Sequence, residues 1–206
     1  MVLRMSEVIY IYGAGGHAKV VAATARLCGY KIGGFWESDA TRVGENFFGS
    51  KVIDFSDVPL GANIFIAFGN NEIRLQEGRK LSRNYKIPNL IHPAAQVSAE
   101  AKMGIGNYIG ALVNIDPDCS FGSFCLINNG ANISHDTLIE DGCQLCPHCA
   151  VAGACRIYEN AFIGLGSCII EKKTVGRKSI IGAGAVVISD IADSTTVAGV
   201  PARVIK

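Results

Sequence analysis

The chain has 206 residues, 49% of them hydrophobic and 18% charged, with 19 Lys and Arg against 18 Asp and Glu. Charges so nearly balanced leave no strong field for phosphate backbones or anionic lipids, which speaks against a nucleic-acid or membrane-surface protein. The apolar share speaks equally against disorder and suffices for a core in one or two domains, while no run approaches the roughly 18 apolar residues of a membrane span.

Two counts stand out, 24 glycines and 8 cysteines. An even cysteine number invites a reading as disulfides or a zinc site. The amino end, Met1-Val-Leu-Arg-Met-Ser-Glu7, lacks the long apolar stretch of a signal peptide. The expected location is therefore the cytoplasm, where disulfides are rare.

Val8–Tyr12 reads as a buried strand running into Gly13-Ala-Gly-Gly-His-Ala-Lys19, with a helix expected from Ala18 to Cys28 and Gly29 ending it. A second strand spans Lys31–Trp36 and stops at Glu37. A third, Asn63–Phe68, stops at Gly69-Asn-Asn-Glu-Ile-Arg74, before a helix from Arg74 to Tyr85. Strand, glycine turn and helix fit the pattern G-x-G-x-x-A, which bares backbone N–H groups and a helix dipole to an anionic ligand. A dinucleotide oxidoreductase would use Glu37 as its ribose contact. However, fewer than ninety residues precede the repeat described next, half of a full dinucleotide fold, which suits a nucleotide-sugar phosphate better. A purely structural glycine turn is the remaining reading.

From Ile91 to Val187 the chain divides into hexads, each opened by an apolar residue. A period of six fits neither a helix nor a coiled coil, but it is the mark of a parallel β-helix built from triangular coils of 18 residues. Six hexads carry glycine in the second slot (Gly104, Gly110, Gly122, Gly164, Gly176, Gly182), where a turn or a close backbone approach is expected. The fifth slot is mostly small and holds Cys119, Cys125, Cys143, Cys149 and Cys155. These cysteines read as small core residues, although Cys143-Gln-Leu-Cys146-Pro-His-Cys149 superficially offers zinc spacing. At Ala198-Gly-Val-Pro-Ala-Arg-Val-Ile-Lys206 the period stops and proline should break the ladder. The fold expected is thus a half-size Rossmann-like α/β unit, residues 1–88, followed by a β-helix domain, residues 89–206.

Taken together, Ile9-Tyr-Ile-Tyr-Gly-Ala-Gly-Gly-His17, Ile66–Arg74, Asn89-Leu-Ile-His-Pro93 and the hexapeptide coils ending in Gly-Val-Pro-Ala-Arg203 resemble the NeuD/PglD type of bacterial sugar acetyltransferase. The resemblance covers nearly the whole chain. It implies a left-handed parallel β-helix, acetyl-CoA as co-substrate with no metal, a homotrimer, and a UDP-linked 4-amino sugar as acceptor, closest to the N-acetyltransferase that makes UDP-N,N′-diacetylbacillosamine. His135 falls on the family's catalytic histidine and would be the general base. Asp136, where close relatives carry Glu, would hold its ring, and Asn128 matches an active-site asparagine. Gly15, Gly16, His17 and Gly69 would touch the nucleotide sugar. Gln144, Gly153, Leu165 and Ala183 would lie along CoA.

Two departures bear on this. The family's Asp-Asp pair after the second strand is replaced by Glu37 and Ser38, with Asp39 next. Gln144 stands where close relatives place a histidine, and it cannot relay a proton at neutral pH. His92 and His148, each beside a proline, read as turn residues. Cys143 is a conceivable acyl acceptor, but its slot favours the core and direct transfer. Three rivals stay open: an O-acetyltransferase on sialic acid or another glycan precursor, a zinc hydratase of β-helix type, and a non-catalytic nucleotide-sugar-binding scaffold.

Overall fold

The computed structural model describes residues 7–206; Met1–Ser6, on which the reading of a missing leader rests, lies outside the described residues. It divides into two compact units, Met1–Pro93 and Ala94–Lys206. No helix among the described residues is long and apolar enough to cross a membrane.

In the first unit, β1 (Val8–Tyr12) lies between β2 (Lys31–Trp36) and the later strand Asn63–Ile66, all parallel. The crossover α1 (Gly16–Leu27) packs Ala18, Val21, Ala22, Thr24 and Ala25 inward, small residues that let helix and sheet approach closely. Helix α1 begins two residues before Ala18 because Gly15 is already its N-cap. Between β2 and the third sheet strand comes a stretch the residue pattern did not announce. It holds a short 3-10 turn at Ala40–Arg42, a hairpin of β3 (Asn46–Phe47) with β4 (Ser50–Lys51), and a second 3-10 turn at Phe55–Asp57. The strand Asn63–Ile66 becomes β5. Helix α2 (Asn71–Leu81) starts earlier than Arg74 because the Asn70 side chain accepts the Ile73 N–H at 3.0 Å, a cap that fixes its first turn.

The second unit is a parallel β-helix. Two-residue strands stack every 18 residues into three sheets: one from Gln96–Val97 to Val186–Val187, one from Lys102–Met103 to Thr174–Val175, and one containing Tyr108–Ile109 to Ile180–Ile181. The hexad openers point inward and pair in register, as Ile139, Ile157 and Val175 do. The second-slot glycines serve close approach rather than the turn: a Cβ on Gly164 would meet the Ile181 carbonyl oxygen of the next coil at 2.4 Å. The turn itself falls two residues later, where the fourth slot takes a left-handed conformation even at Leu112, Phe124 and Lys172.

The fifth slot is buried as expected, and its chemistry explains the cysteines further. Cys119, Cys125, Cys143 and Cys155 each aim Sγ at the second-slot carbonyl of the next coil, at 3.2, 3.1, 3.0 and 3.2 Å, as the Thr137 hydroxyl does at 3.2 Å. A thiol there fills the corner and satisfies a carbonyl at once. The tail corrects one expectation. Thr196–Ala198 still pairs in parallel with Ile180–Ile181, and beyond Pro201 the chain doubles back as Arg203–Val204. Proline therefore turns the end of the ladder back on itself instead of ending it.

Candidate active site

In the α/β unit the residues expected to meet a nucleotide gather at the carboxyl ends of three adjacent parallel strands, the edge where open α/β sheets bind ligands. After β1, Gly13 takes φ +116°, a conformation closed to most side chains, and its N–H bonds the Trp36 carbonyl at 2.7 Å. Gly15 and Gly16 follow, exposed, with nothing within 4 Å of an added Cβ. No side chain caps the N-terminus of α1, so its first N–H groups face outward. After β2 come Glu37, half-buried, and Ser38, exposed; after β5 comes exposed Gly69.

His17 sits in the first turn of α1. Burial above all, and then the nearby Arg74 guanidinium, pushes its pKa down to about 4, so the ring is neutral at physiological pH. A neutral imidazole offers one hydrogen-bond donor and one acceptor.

Two arginines that the motif did not single out hold this edge together. Arg74, 1% exposed on α2, donates to the Phe68 carbonyl at 3.0 Å and the Asn71 side chain at 2.9 Å, tying the turn after β5 to its helix. Arg42 donates one nitrogen to Glu37 at 2.6 Å and to the Ala14 carbonyl at 3.2 Å, and its other nitrogens grip Glu45 at 2.6 and 3.0 Å. It thereby joins the end of β2 to the glycine turn after β1. Asp39, the remaining acid of this stretch, is occupied as the cap of the turn at Ala40, accepting the Thr41 N–H and hydroxyl at 3.0 and 2.6 Å. The signal for Arg42 was a cation with carboxylates on either side; for Arg74, a charge on an otherwise inward-facing stripe.

In the β-helix, His135 occupies the third slot of a corner and Asp136 the left-handed fourth slot, φ +59°. The two side chains meet through Nδ1 and Oδ2 at 2.7 Å while both remain exposed. Asp tolerates that backbone conformation better than most residues, and the conformation turns its carboxylate toward the preceding ring. Gly153, one coil on at the same corner, is buried with the His135 ring against it.

Asn128, Leu165 and Ala183 lie at a different corner, the one following the third sheet, and Gln144 lies on the strand leading to it. The reason is arithmetic: 153 follows 135 by one full coil, whereas 128, 165 and 183 are offset by partial coils. One copy of the chain thus brings His135, Asp136 and Gly153 together and holds the other four apart from them. Asn128 donates to the Leu145 carbonyl at 3.0 Å; Leu165 and Ala183 are exposed. Gln144 donates weakly to the Cys146 sulfur at 3.7 Å, and its buried Oε1 accepts no hydrogen bond.

Cys143 is fully buried with its thiol on the Tyr158 carbonyl, out of reach of an acyl donor. Burial pushes the Cys149 thiol up to about 12, which keeps it protonated and a poor nucleophile at neutral pH. No group of three or more His, Cys, Asp or Glu among the described residues is placed to hold a metal ion.

A family model described as the PglD N-terminal domain matches residues 8–81. A mutant of perosamine N-acetyltransferase from Caulobacter crescentus, solved in complex with CoA and GDP-perosamine, superposes with a TM-score of 0.91 at 34% identity over 98% of both chains. The acetyltransferase domain of PglB from Neisseria gonorrhoeae FA1090, in complex with acetyl coenzyme A, gives 0.89 at 33% identity over 98% of this chain and 100% of that one. GDP-perosamine N-acetyltransferase from Escherichia coli O157:H7 is 31% identical over 120 residues, 58% of this chain. The chain spans about half of that curated relative, 54% of its length. Matched in its first unit by the PglD model and end to end by two such structures, the chain belongs to the PglD-type family of hexapeptide-repeat sugar acetyltransferases.

Proposed function

We propose that this chain is an acetyl-CoA-dependent N-acetyltransferase that acetylates the 4-amino group of a UDP-linked 4-amino-4,6-dideoxy sugar, with His135 as general base. The observation that carries the reading is the exposed His135–Asp136 pair, 2.7 Å apart at a corner of the β-helix. Asp136 accepts a hydrogen bond from Nδ1–H and so presents Nε2 as the acceptor; a carboxylate on one ring nitrogen also stabilises the imidazolium formed when the other takes a proton.

The amine nitrogen attacks the thioester carbonyl carbon, and His135 takes the proton released from that nitrogen. The C–S bond of the tetrahedral intermediate then breaks, and the proton passes to the departing CoA sulfur. An amine needs little more activation than this, so positioning supplies most of the acceleration. Glutamine at position 144 cannot share the proton transfer, which leaves it to His135 alone.

The nucleotide sugar occupies the carboxyl edge of the α/β sheet. Its diphosphate lies over the bare N–H groups at Gly15 and Gly16, with His17, Glu37, Ser38 and Gly69 around it. CoA runs along the corner of Gln144, Leu165 and Ala183, with Gly153 at the reacting end. Since Gln144, Leu165 and Ala183 lie at a different corner of one copy from His135 and Gly153, the working enzyme is a homotrimer in which one copy's His135 corner faces a neighbour's CoA corner.

A GDP-linked amino sugar is the second reading. It is favoured by the complex of the Caulobacter relative with GDP-perosamine and by Glu37, a carboxylate able to accept from the two adjacent N–H donors of a guanine edge. Incubation of the full chain with acetyl-CoA and UDP- or GDP-linked 4-amino sugars, or CMP-sialic acid, followed by release of free thiol, separates these. Turnover with the UDP amino sugar is expected, and His135→Ala should lower kcat by at least about 100-fold. Thiol release with CMP-sialic acid alone would overturn the reading, as would a His135→Ala variant of undiminished rate.

A further inference from the structure

The third slot of the hexads accepts nearly anything. Pro117, Asp141, Leu165 and Arg177 all occupy it, and from Ala99 to Ala183 it holds glycine once, at Gly153. The backbone does not demand glycine there, because Gly153 is not among the residues of positive φ. Space does. A Cβ built on Gly153 would lie 2.8 Å from both Cε1 and Nε2 of His135 and 3.3 Å from its Nδ1, closer than real Cβ contacts come.

The same relation recurs once at another corner, where the His148 ring lies 2.5 Å from a Cβ on Gly130. Gly130, however, has φ +69°, so its left-handed backbone already calls for glycine. At Gly153 only the imidazole of the preceding coil does.

We infer that Gly153 is a positioning residue for His135: its bare Cα is the floor on which the ring lies while Nδ1 stays on Asp136 and Nε2 stays aimed at the acceptor amine. The inference rests on the reading of His135 as the base. His135 is exposed, and its ring bonds Asp136 through Nδ1. A methyl on residue 153 is therefore accommodated by moving the ring, whereas a shift of the coil would strain the strand pairs on either side. Displacing a catalytic group by about 1 Å can cost on the order of 100-fold in rate.

Gly153→Ala in the full chain tests this. Alanine already occupies the slot at Ala99, Ala111 and Ala183, so the fold should tolerate it. The expected result is a fall in kcat of about 100-fold, with KM for acetyl-CoA and for the amino sugar within about twofold. In the His135→Ala background the same change should cost nothing more, because two residues acting through one group are not additive. With the imidazole gone the methyl has room, so the double variant should melt no lower than Gly153→Ala alone. Three results would each overturn the inference: an unchanged kcat, a loss confined to KM for acetyl-CoA, or a further drop in activity or melting temperature in the double variant. If His135→Ala itself keeps full turnover, the assignment of the base has failed instead, and the two failures are told apart by that single variant.

Discussion

The β-helix and the α/β unit put their functional residues in place by opposite means. In the coils a residue's job follows from its slot, because each strand meets the same position of the next coil 18 residues later. In the α/β unit the site edge is closed by pairs that no period links: Arg42 with Glu37 and Ala14, Arg74 with Phe68, Asn70 with the first turn of α2. A repetitive backbone makes a departure from the rule stand out, as glycine does in the third slot at Gly153. An irregular one offers no rule to depart from.

The largest effect expected from that contrast is on the stability of the coils. Ile157 is fully buried between Ile139 and Val175, with an opener stacked on each side. Ile157→Ala should cost about 3 kcal/mol, the cost of a core cavity that two flanking coils cannot close. Urea unfolding followed by far-UV circular dichroism reads it. A loss under about 1 kcal/mol would mean that the coils relax around a missing opener and that slot identity matters less than proposed.

The next effect belongs to the α/β unit and depends on pH. The folded-state pKa of His17, about 4, lies below the 6.5 of an unperturbed histidine, chiefly through burial. Above about pH 6.5 the ring is neutral in both states and contributes its full share of stability. As pH falls from there toward 4, the unfolded chain binds a proton that the folded chain refuses, and stability drops by about 3 kcal/mol in all. Trp36, the one tryptophan, is buried at the end of β2 and reports on this unit. Unfolding monitored by its fluorescence at pH 7 and pH 4.5 should show the loss in the natural chain and a much flatter response in His17→Gln. Equal pH dependence in both would remove His17 as the titrating group.

What the residues alone revealed divides along the same line. The openers, the small fifth slot and the three sheet strands of the α/β unit were all legible, since burial with a period of six or in short apolar runs leaves a direct trace. The second-slot glycines were legible as special, but only coordinates separated close approach from turn, because either would exclude a side chain. His135 and Asp136 were proposed as base and partner through family resemblance, the slot itself being neutral. Arg42 and Arg74 were not visible as site residues. An arginine's role lies in where its guanidinium ends, several bonds from the backbone and against partners up to 28 residues away, and local patterning carries no record of that. The hairpin of β3 and β4 was missed for a related reason: strands of two residues are too short to show alternation.

Arg42 offers the finest test of the comparison. Its guanidinium holds the Glu37 carboxylate and the Ala14 carbonyl through one nitrogen, while its bidentate grip on Glu45 fixes the plane of the group. Because the side chain is partly exposed, solvent screens much of this energy and the net effect of losing it is modest. Arg42→Ala should free Glu37 and loosen the glycine turn together. The measured consequence should be a rise of about tenfold in KM for the nucleotide sugar, equivalent to about 1.4 kcal/mol, with kcat within about twofold because His135 stands in the other unit. Arg42→Lys keeps the charge but not the fork, and so should recover only part of the loss. Glu45→Gln leaves the bonds to Glu37 and Ala14 in place and should move KM least. If Arg42→Ala leaves KM where it was, the glycine turn and strand ends suffice for the nucleotide, and the α/β site is as local as the hexads are.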